Sequence, residues 1–352
     1  MLGSCVLVSL EIENLRGIAQ GRLDALARLV AFVGPNGSGK STLLEGAFIG
    51  AAPAAGAAVG EIVERRTETR GGARWVIRGG QSTVAARIAM KWSDGELSTR
   101  RLSWTPALHV PSLAESLARA GAPGPYSGIY VDRDFPEAQR KYAPRRTTIG
   151  FAANNDHVVE EGTADATPRA VRFVDPRRGD ALHDAFSRAV QEGRRAEVTA
   201  SAKLVVPNLE SVEILTESGE PQLFLTYAGG AVPASLAGDG VLSLLRVSFE
   251  LANAPNTVRL IEEPEVHQYP RSMHATATAI VAAVRRGTQV LLTTHSLELI
   301  DMLLAQLSAG ERDDASFFQI RRVALRDGVL QCVTIPAAEG ASARTTLAED
   351  LR

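Results

Sequence analysis

The chain has 352 residues, 38 basic against 40 acidic side chains, and a formal net charge of −2, with 45% hydrophobic and 22% charged residues. That balance is ordinary for a folded globular protein and excludes a disordered chain, a disulfide scaffold and a polycationic coat for nucleic acid. No apolar run reaches membrane-spanning length, the first ten residues lack the basic start of a signal peptide, and Cys5 and Cys332 match no metal spacing. A cytoplasmic location without membrane contact is expected.

In chain order, Val6, Val8, Leu10 and Ile12 alternate as in a half-buried strand, Gly17 and Gly21 mark a turn, and 29–33 is a second apolar strand. From 47 to about 113 the pattern is small, arginine-rich and strand-like, with a hairpin across Asp94-Gly95. Residues 121–125 and 143–148 read as loop, 180–202 as a helix, and 211–216 with 222–227 as another hairpin. The last third is the most regular. Helices at 241–251, 273–284 and 297–307 alternate with apolar strands at 257–262 and 290–294, and a hairpin across Asp327-Gly328 follows. Alternation of this kind predicts a parallel sheet, whereas the middle predicts an antiparallel one.

Gly34-Pro35-Asn36-Gly37-Ser38-Gly39-Lys40-Ser41-Thr42 fits the phosphate-binding pattern G-x-x-x-x-G-K-[ST], between a strand and a helix as the pattern requires. Its glycines let backbone N–H groups turn inward as an anion nest. Lys40 supplies a cation for the β- and γ-phosphates, and the Ser41 hydroxyl suits Mg²⁺. The strand ending in Glu262-Glu263-Pro264 places two carboxylates at the edge where an open α/β sheet binds ligands. Glu262 is expected to serve Mg²⁺ through its water shell, and Glu263 to orient or deprotonate the attacking water. Ser235-Leu236-Ala237-Gly238-Asp239-Gly240 opens a helix whose N-terminus suits a γ-phosphate, and His295 ends the next strand within reach of the same group.

This order of P-loop, glycine-rich helix start, double-acid strand and strand-end histidine resembles the ATP-binding-cassette (ABC) ATPases in their non-transporter branch. The phrases LIEEPEVHQYP and VAFVGPNGSGKSTLLEG look like the stand-alone AAA-type members related to the ATPase half of OLD nucleases and to RecF and SMC-like heads. The resemblance implies an α/β P-loop NTPase fold, an ABC-ATPase-like head with a mixed or parallel core sheet, N-terminal antiparallel strands and an inserted α/β lobe. It implies that Gly34–Thr42 bind ATP with Mg²⁺, that Lys40, Glu263 and His295 are catalytic, and that Arg16 lies near the nucleotide. It further implies that Ser235, Leu236, Gly238, Asp239 and Gly240 form a signature completing the site of a second copy.

Three features depart from that pattern. Glu262 stands where aspartate is usual, the signature lacks its central serine and has Ala237 there, and the coupling glutamine is unplaced between Gln81 and Gln139. The implied division is a single ATPase domain over 1–352: 1–50 for strands and P-loop, about 51–230 for the inserted lobe, 231–310 for the signature and acid core, and 311–352 for a C-terminal hairpin and helix. The 223 residues between Lys40 and Glu263 favour the non-transporter branch over a transporter's ATPase subunit, the alternative, alongside an ATP-binding switch with little hydrolysis. The expected partners are a second copy on ATP binding, a separate nuclease or effector, and DNA. With 57 residues after His295 and no acidic metal pattern among them, no nuclease activity is expected from this chain.

Overall fold

Thirteen strands share one sheet in the computed structural model, which describes residues 6–65, 71–134, 145–160, 170–178, 182–252, 257–307, 309–314 and 316–352. The N-terminal part runs β1 (Leu7–Leu15), β2 (Ile18–Leu23), β3 (Leu29–Val33), α1 (Lys40–Ala51) and α2 (Ala55–Glu64). There follow β4 (Ala85–Trp92), β5 (Leu97–Thr105), α3 (Pro111–Arg119), β6 (Ser127–Asp134), β7 (Arg145–Phe151), β8 (His157–Glu160) and β9 (Val171–Val174). Next come α4 (Leu182–Gln191), α5 (Arg195–Lys203), β10 (Ser211–Glu217), β11 (Glu220–Tyr227), β12 (Gly230–Pro233) and α6 (Asp239–Leu251). The chain closes with β13 (Val258–Glu262), α7 (Pro270–Arg285), β14 (Gln289–Thr293), α8 (Leu297–Gln306), α9 (Ala309–Asp313), β15 (Phe318–Arg326), β16 (Val329–Pro336) and α10 (Ala337–Thr346).

The strand order is β8-β7-β6-β5-β4-β1-β2-β16-β15-β3-β14-β13-β9, and β10-β11-β12 form a separate small sheet. From β15 through β3, β14 and β13 to β9 neighbouring strands are parallel, whereas β8 through β4 to β1 and β2 pair antiparallel. The cause is in the sequence: LVAFV, VRLIE and QVLLT are buried at every position, as strands covered by helices on both faces require. In β4, by contrast, Ala86, Ile88, Met90 and Trp92 are buried and alternate with residues facing outward. Helices α1 and α2 pack in one core with β1 and β4, and α6, α7, α8 and α10 contribute to a second. A third core joins α4 and α5 to β10, β11 and the inner face of α6.

The hairpins across Asp94-Gly95 and Asp327-Gly328 form as expected, with both glycines and Asp327 at positive φ. Four expectations are corrected. In β1 the pairing register shifts between Leu7 and Ser9, so Leu7, Leu10 and Ile12 are buried rather than the evenly spaced Val6, Val8, Leu10 and Ile12. Residues 47–51 and 55–64 are helical rather than strand-like, because small side chains let α1 and α2 lie close to the sheet: a Cβ on Gly50 would stand 2.9 Å from Ile88, and one on Gly60 would overlap His157. The 180–202 helix is two helices, broken at Gly193 with φ of 74°, and its residues 180–181 lie outside the described ones. Residues 145–148, read as loop, pair with β6 inside the sheet, and 143–144 lie outside the described residues. Among the described residues no helix is long and apolar enough to cross a membrane.

Candidate nucleotide site

Strands β3, β14 and β13 run side by side in register, Leu29 opposite Val290 and Val258 opposite Gln289, so they end together at one edge. The loop 34–39, the segment 294–296 and the Glu262-Glu263 pair therefore emerge next to one another. The P-loop starts at Gly34 with φ of 143°, where a Cβ would sit 2.2 Å from the Val323 carbonyl oxygen, so no other residue fits this exit from the sheet. Gly37 and Gly39 also have positive φ, and Gly39 is the N-cap of α1. Lys40 is buried, and its Nζ donates to the carbonyls of Gly34 (2.8 Å) and Pro35 (2.9 Å). Burial lowers the lysine pKa, while the nearby charges of Glu263 and Glu265 oppose that fall. Ser38 Oγ is buried without a hydrogen-bond partner, Ser41 is half-buried, and Asn36 is exposed. A loop with an orphaned hydroxyl, a desolvated lysine and the unpaired first amides of a helix is built for a polyanion.

Glu263 adopts φ of 47°, and its N–H donates to both the carbonyl (3.0 Å) and the Oγ1 (3.2 Å) of Thr293, which turns its side chain out of the strand. One carboxylate oxygen faces His295 Nε2 at 3.7 Å and the other accepts from Arg177 Nη1 at 3.3 Å. Burial and Lys40 hold His295 below its ordinary pKa of 6.5, against the opposing pull of Glu263. Glu262, by contrast, is buried and ion-paired with Arg65, whose Nη2 also meets Asp175 Oδ2 at 3.0 Å. Among the described residues no group of three or more His, Cys, Asp or Glu side chains could hold a metal alone. The donors present, Ser41 and Glu262, fit Mg²⁺ carried on a triphosphate, which keeps most of its waters and takes few protein ligands.

Three residues that the sequence does not assign to the site belong to this cluster, and two of them, Arg65 and Arg177, correct the expectation that the arginine pairs 65–66 and 177–178 are solvated faces. Glu265 accepts from Thr294 Oγ1 (2.7 Å) and the His295 N–H (2.8 Å), clamping the two strand-end loops together; burial pushes its carboxyl up. Arg65 and Arg177 are the other two. The third acid in Glu-Glu-Pro-Glu could have flagged Glu265, whereas each arginine stands in an Arg-Arg pair, a pattern that reads as solvated surface. Arg16 forms a partly buried ion pair with Glu45, in the second turn of the P-loop helix α1.

Ser235, Leu236, Gly238 and Asp239 are exposed at the start of α6, with Leu236 at 75%. Gly240 permits close packing there: a Cβ would stand 2.5 Å from the His267 carbonyl oxygen. Gln268 Nε2 donates to Ser243 Oγ (3.2 Å), so the signature helix rests on the loop that follows the acid pair. Gln81 is exposed beyond a short turn at 78–80, and Gln139 lies outside the described residues.

A family model described as "AAA domain, putative AbiEii toxin, Type IV TA system" matches residues 140–301. An uncharacterized protein of Methanocaldococcus jannaschii is 38% identical over 72 residues, which are 20% of this chain; the chain spans 63% of that relative's length. Among solved structures, an SMC head domain with an extended coiled coil, bound to the C-terminal domain of ScpA derived from Pyrococcus furiosus, aligns with a TM-score of 0.49 and 11% identity over 98% of this chain and 100% of that one. An SMC head bound to the C-winged helix domain of ScpA gives 0.48 and 13% over 94% and 98%. The SMC head domain from Thermotoga maritima gives 0.41 and 12% over 93% and 98%. The matched stretch takes in the exposed helix start, the acid pair and His295, so the chain is similar to AAA-domain proteins there, while the P-loop at 34–42 lies outside it and stands on its own geometry.

Proposed function

We propose that the chain binds ATP with Mg²⁺ and hydrolyses it at a site completed by a second copy, head to tail. The carrying observation is that Glu263 stands beside His295 while Lys40 feels its charge from across the P-loop, yet the signature residues face outward. Lys40 would exchange the Gly34 and Pro35 carbonyls for the β- and γ-phosphates, with Gly34 to Thr42 wrapping the triphosphate. Mg²⁺, when bound, supplies charge neutralisation on the phosphates, held by Ser41 and, through water, by Glu262. Glu263 takes the proton of the attacking water, and a neutral His295 offers Nε2 toward the γ-phosphate region. Arg16, through Glu45, fixes the β1–β2 turn against the P-loop helix and so flanks the nucleotide.

The second copy contributes Ser235, Leu236, Gly238, Asp239 and Gly240. The exposure of Leu236 and of Tyr269 (81%), on two segments joined through Gly240, supports this side as the closing face. On the motif resemblance the chain acts in anti-phage defence or DNA repair, with a separate effector reading the closed state in the cytoplasm; the matching family model is itself described as a putative AbiEii toxin of a type IV TA system. The ion pair that occupies Glu262 favours a second reading, a switch that binds ATP and turns over slowly.

Light scattering on Glu263→Gln with saturating Mg·ATP tests the main reading: a dimer is expected, and a persistent monomer would overturn it. Phosphate release by the parent chain, with and without DNA, separates motor from slow switch.

A further inference from the structure

Residues 175–178 form a tight turn at the end of β9, next to the end of β13, because Val174 lies opposite Ile261. The turn is built from inside and held from outside. Asp175 accepts from the Arg177 N–H (3.0 Å), and the Arg178 N–H donates to the Asp175 carbonyl (3.1 Å). Arg246, on the signature helix α6, donates to the Pro176 carbonyl (3.0 Å), and Arg178 Nη1 reaches the Arg65 carbonyl (3.3 Å). The Arg65 guanidinium lies 3.8 Å over the Phe173 ring, so its plane is set before it meets any acid.

From this platform two cations reach two adjacent carboxylates. Arg65 bridges Asp175 and Glu262, all three side chains being 10% exposed or less. Arg177 spans Asp175 (3.3 Å) and Glu263 (3.3 Å), with Glu262 at 3.9 Å. Successive acids at a strand end repel each other, and buried ones need partners. The two arginines meet that need and draw the carboxylates in separate directions.

We propose that Arg65 and Arg177 are positioning residues for the acid pair, and that position 262 is glutamate because only the longer side chain spans from the strand end to Arg65. An aspartate there would stop about 1.5 Å short, leaving Arg65 and Asp175 with an incomplete buried network. The departure from the usual aspartate is then a fitted feature. For its catalytic consequence the inference rests on the ATPase reading above.

The test is Glu262→Asp, which restores the usual residue of the family. Its kcat is expected to fall by about 10–100-fold with little change in the KM for ATP; a variant as fast as the parent overturns the proposal. Arg177→Ala is expected to lose kcat similarly and to regain part of it with millimolar guanidinium, whereas absence of rescue together with unchanged kcat speaks against the proposal. A second readout needs no turnover. In a thermal-unfolding cycle of Arg65→Lys, Glu262→Asp and the double variant, the midpoint shifts should fail to add, and strict additivity overturns the pairing. Should the parent release no phosphate, the ATPase reading falls by itself and this cycle still decides the proposal.

Discussion

Between β15 and β9 the sheet is parallel and buried on both faces; between β8 and β1 it is antiparallel and turns one face outward. Parallel strands all end at the same edge, so Gly34, Glu262, Glu263 and His295 meet although they are far apart in sequence. Antiparallel strands send alternate ends to opposite edges and gather no such constellation. Their outer face instead carries crossed charges, Arg87 with Glu11 and Glu13, and Arg146 with Asp132. Substitutions in the parallel half should therefore change chemistry, and those on the outer face of the other half should change little.

The largest expected effect is at the shared edge. Glu263→Gln should lower phosphate release about 10²–10³-fold while a fluorescent ATP analogue still binds. Lys40→Ala should lose the binding itself, since it removes the buried cation that the P-loop encloses. A Glu263→Gln protein with normal turnover would break the comparison at its strongest point.

Next is the seam between halves. Gln289 starts β14 and is fully buried; it accepts from the Leu7 N–H (2.7 Å) and donates to the carbonyls of Leu7 (2.9 Å) and Ala27 (3.0 Å). Gln289→Leu leaves these backbone groups unpaired, and about 2–4 kcal/mol of stability should be lost in urea unfolding. Nucleotide affinity should hold once folding is allowed for. A loss of chemistry without loss of stability would show that the two halves communicate through this amide.

How much of this was legible depends on what each signal measures. The P-loop and the acid strand stand out because continuous apolar runs end in residues with special chemistry. The slip in β1 does not, since a one-residue shift changes which side chains are buried without changing composition. Helix α2 hid because AGAAVG has no apolar stripe; its signal is the absence of Cβ atoms under His157. Arg65 and Arg177 hid for a statistical reason. With 34 arginines in the chain, the pairs 65–66 and 177–178 look like solvated surface, and Glu262 and Glu263, the acids they hold, lie 197 and 86 residues away.

A smaller effect probes charge at the edge. His295 is held below 6.5 by burial and by Lys40, and Glu263 works against that. A histidine that resists protonation in the fold contributes stability above its unfolded pKa, and loses it as pH falls through the lowered folded value. NMR titration should therefore give a midpoint below 6.5, moving further down in Glu263→Gln, where the opposing negative charge is gone. An upward move would mean that Glu263 does not face the imidazole.

The smallest effect sets one arginine of each half against the other. Arg146 makes two bonds to Asp132, at 2.7 and 3.0 Å, and lies 5.4 Å from the Tyr130 ring, with its side chain 62% exposed. By contact geometry it is as well bound as Arg65. Water already solvates Arg146 and Asp132, however, so Arg146→Ala should cost only about 0.2–1 kcal/mol in urea unfolding. Removing Arg65 leaves two buried carboxylates to Arg177 alone, and about 3–5 kcal/mol should be lost. Equal costs would mean that contact geometry outweighs burial, and the difference between the halves would then lie in strand direction alone.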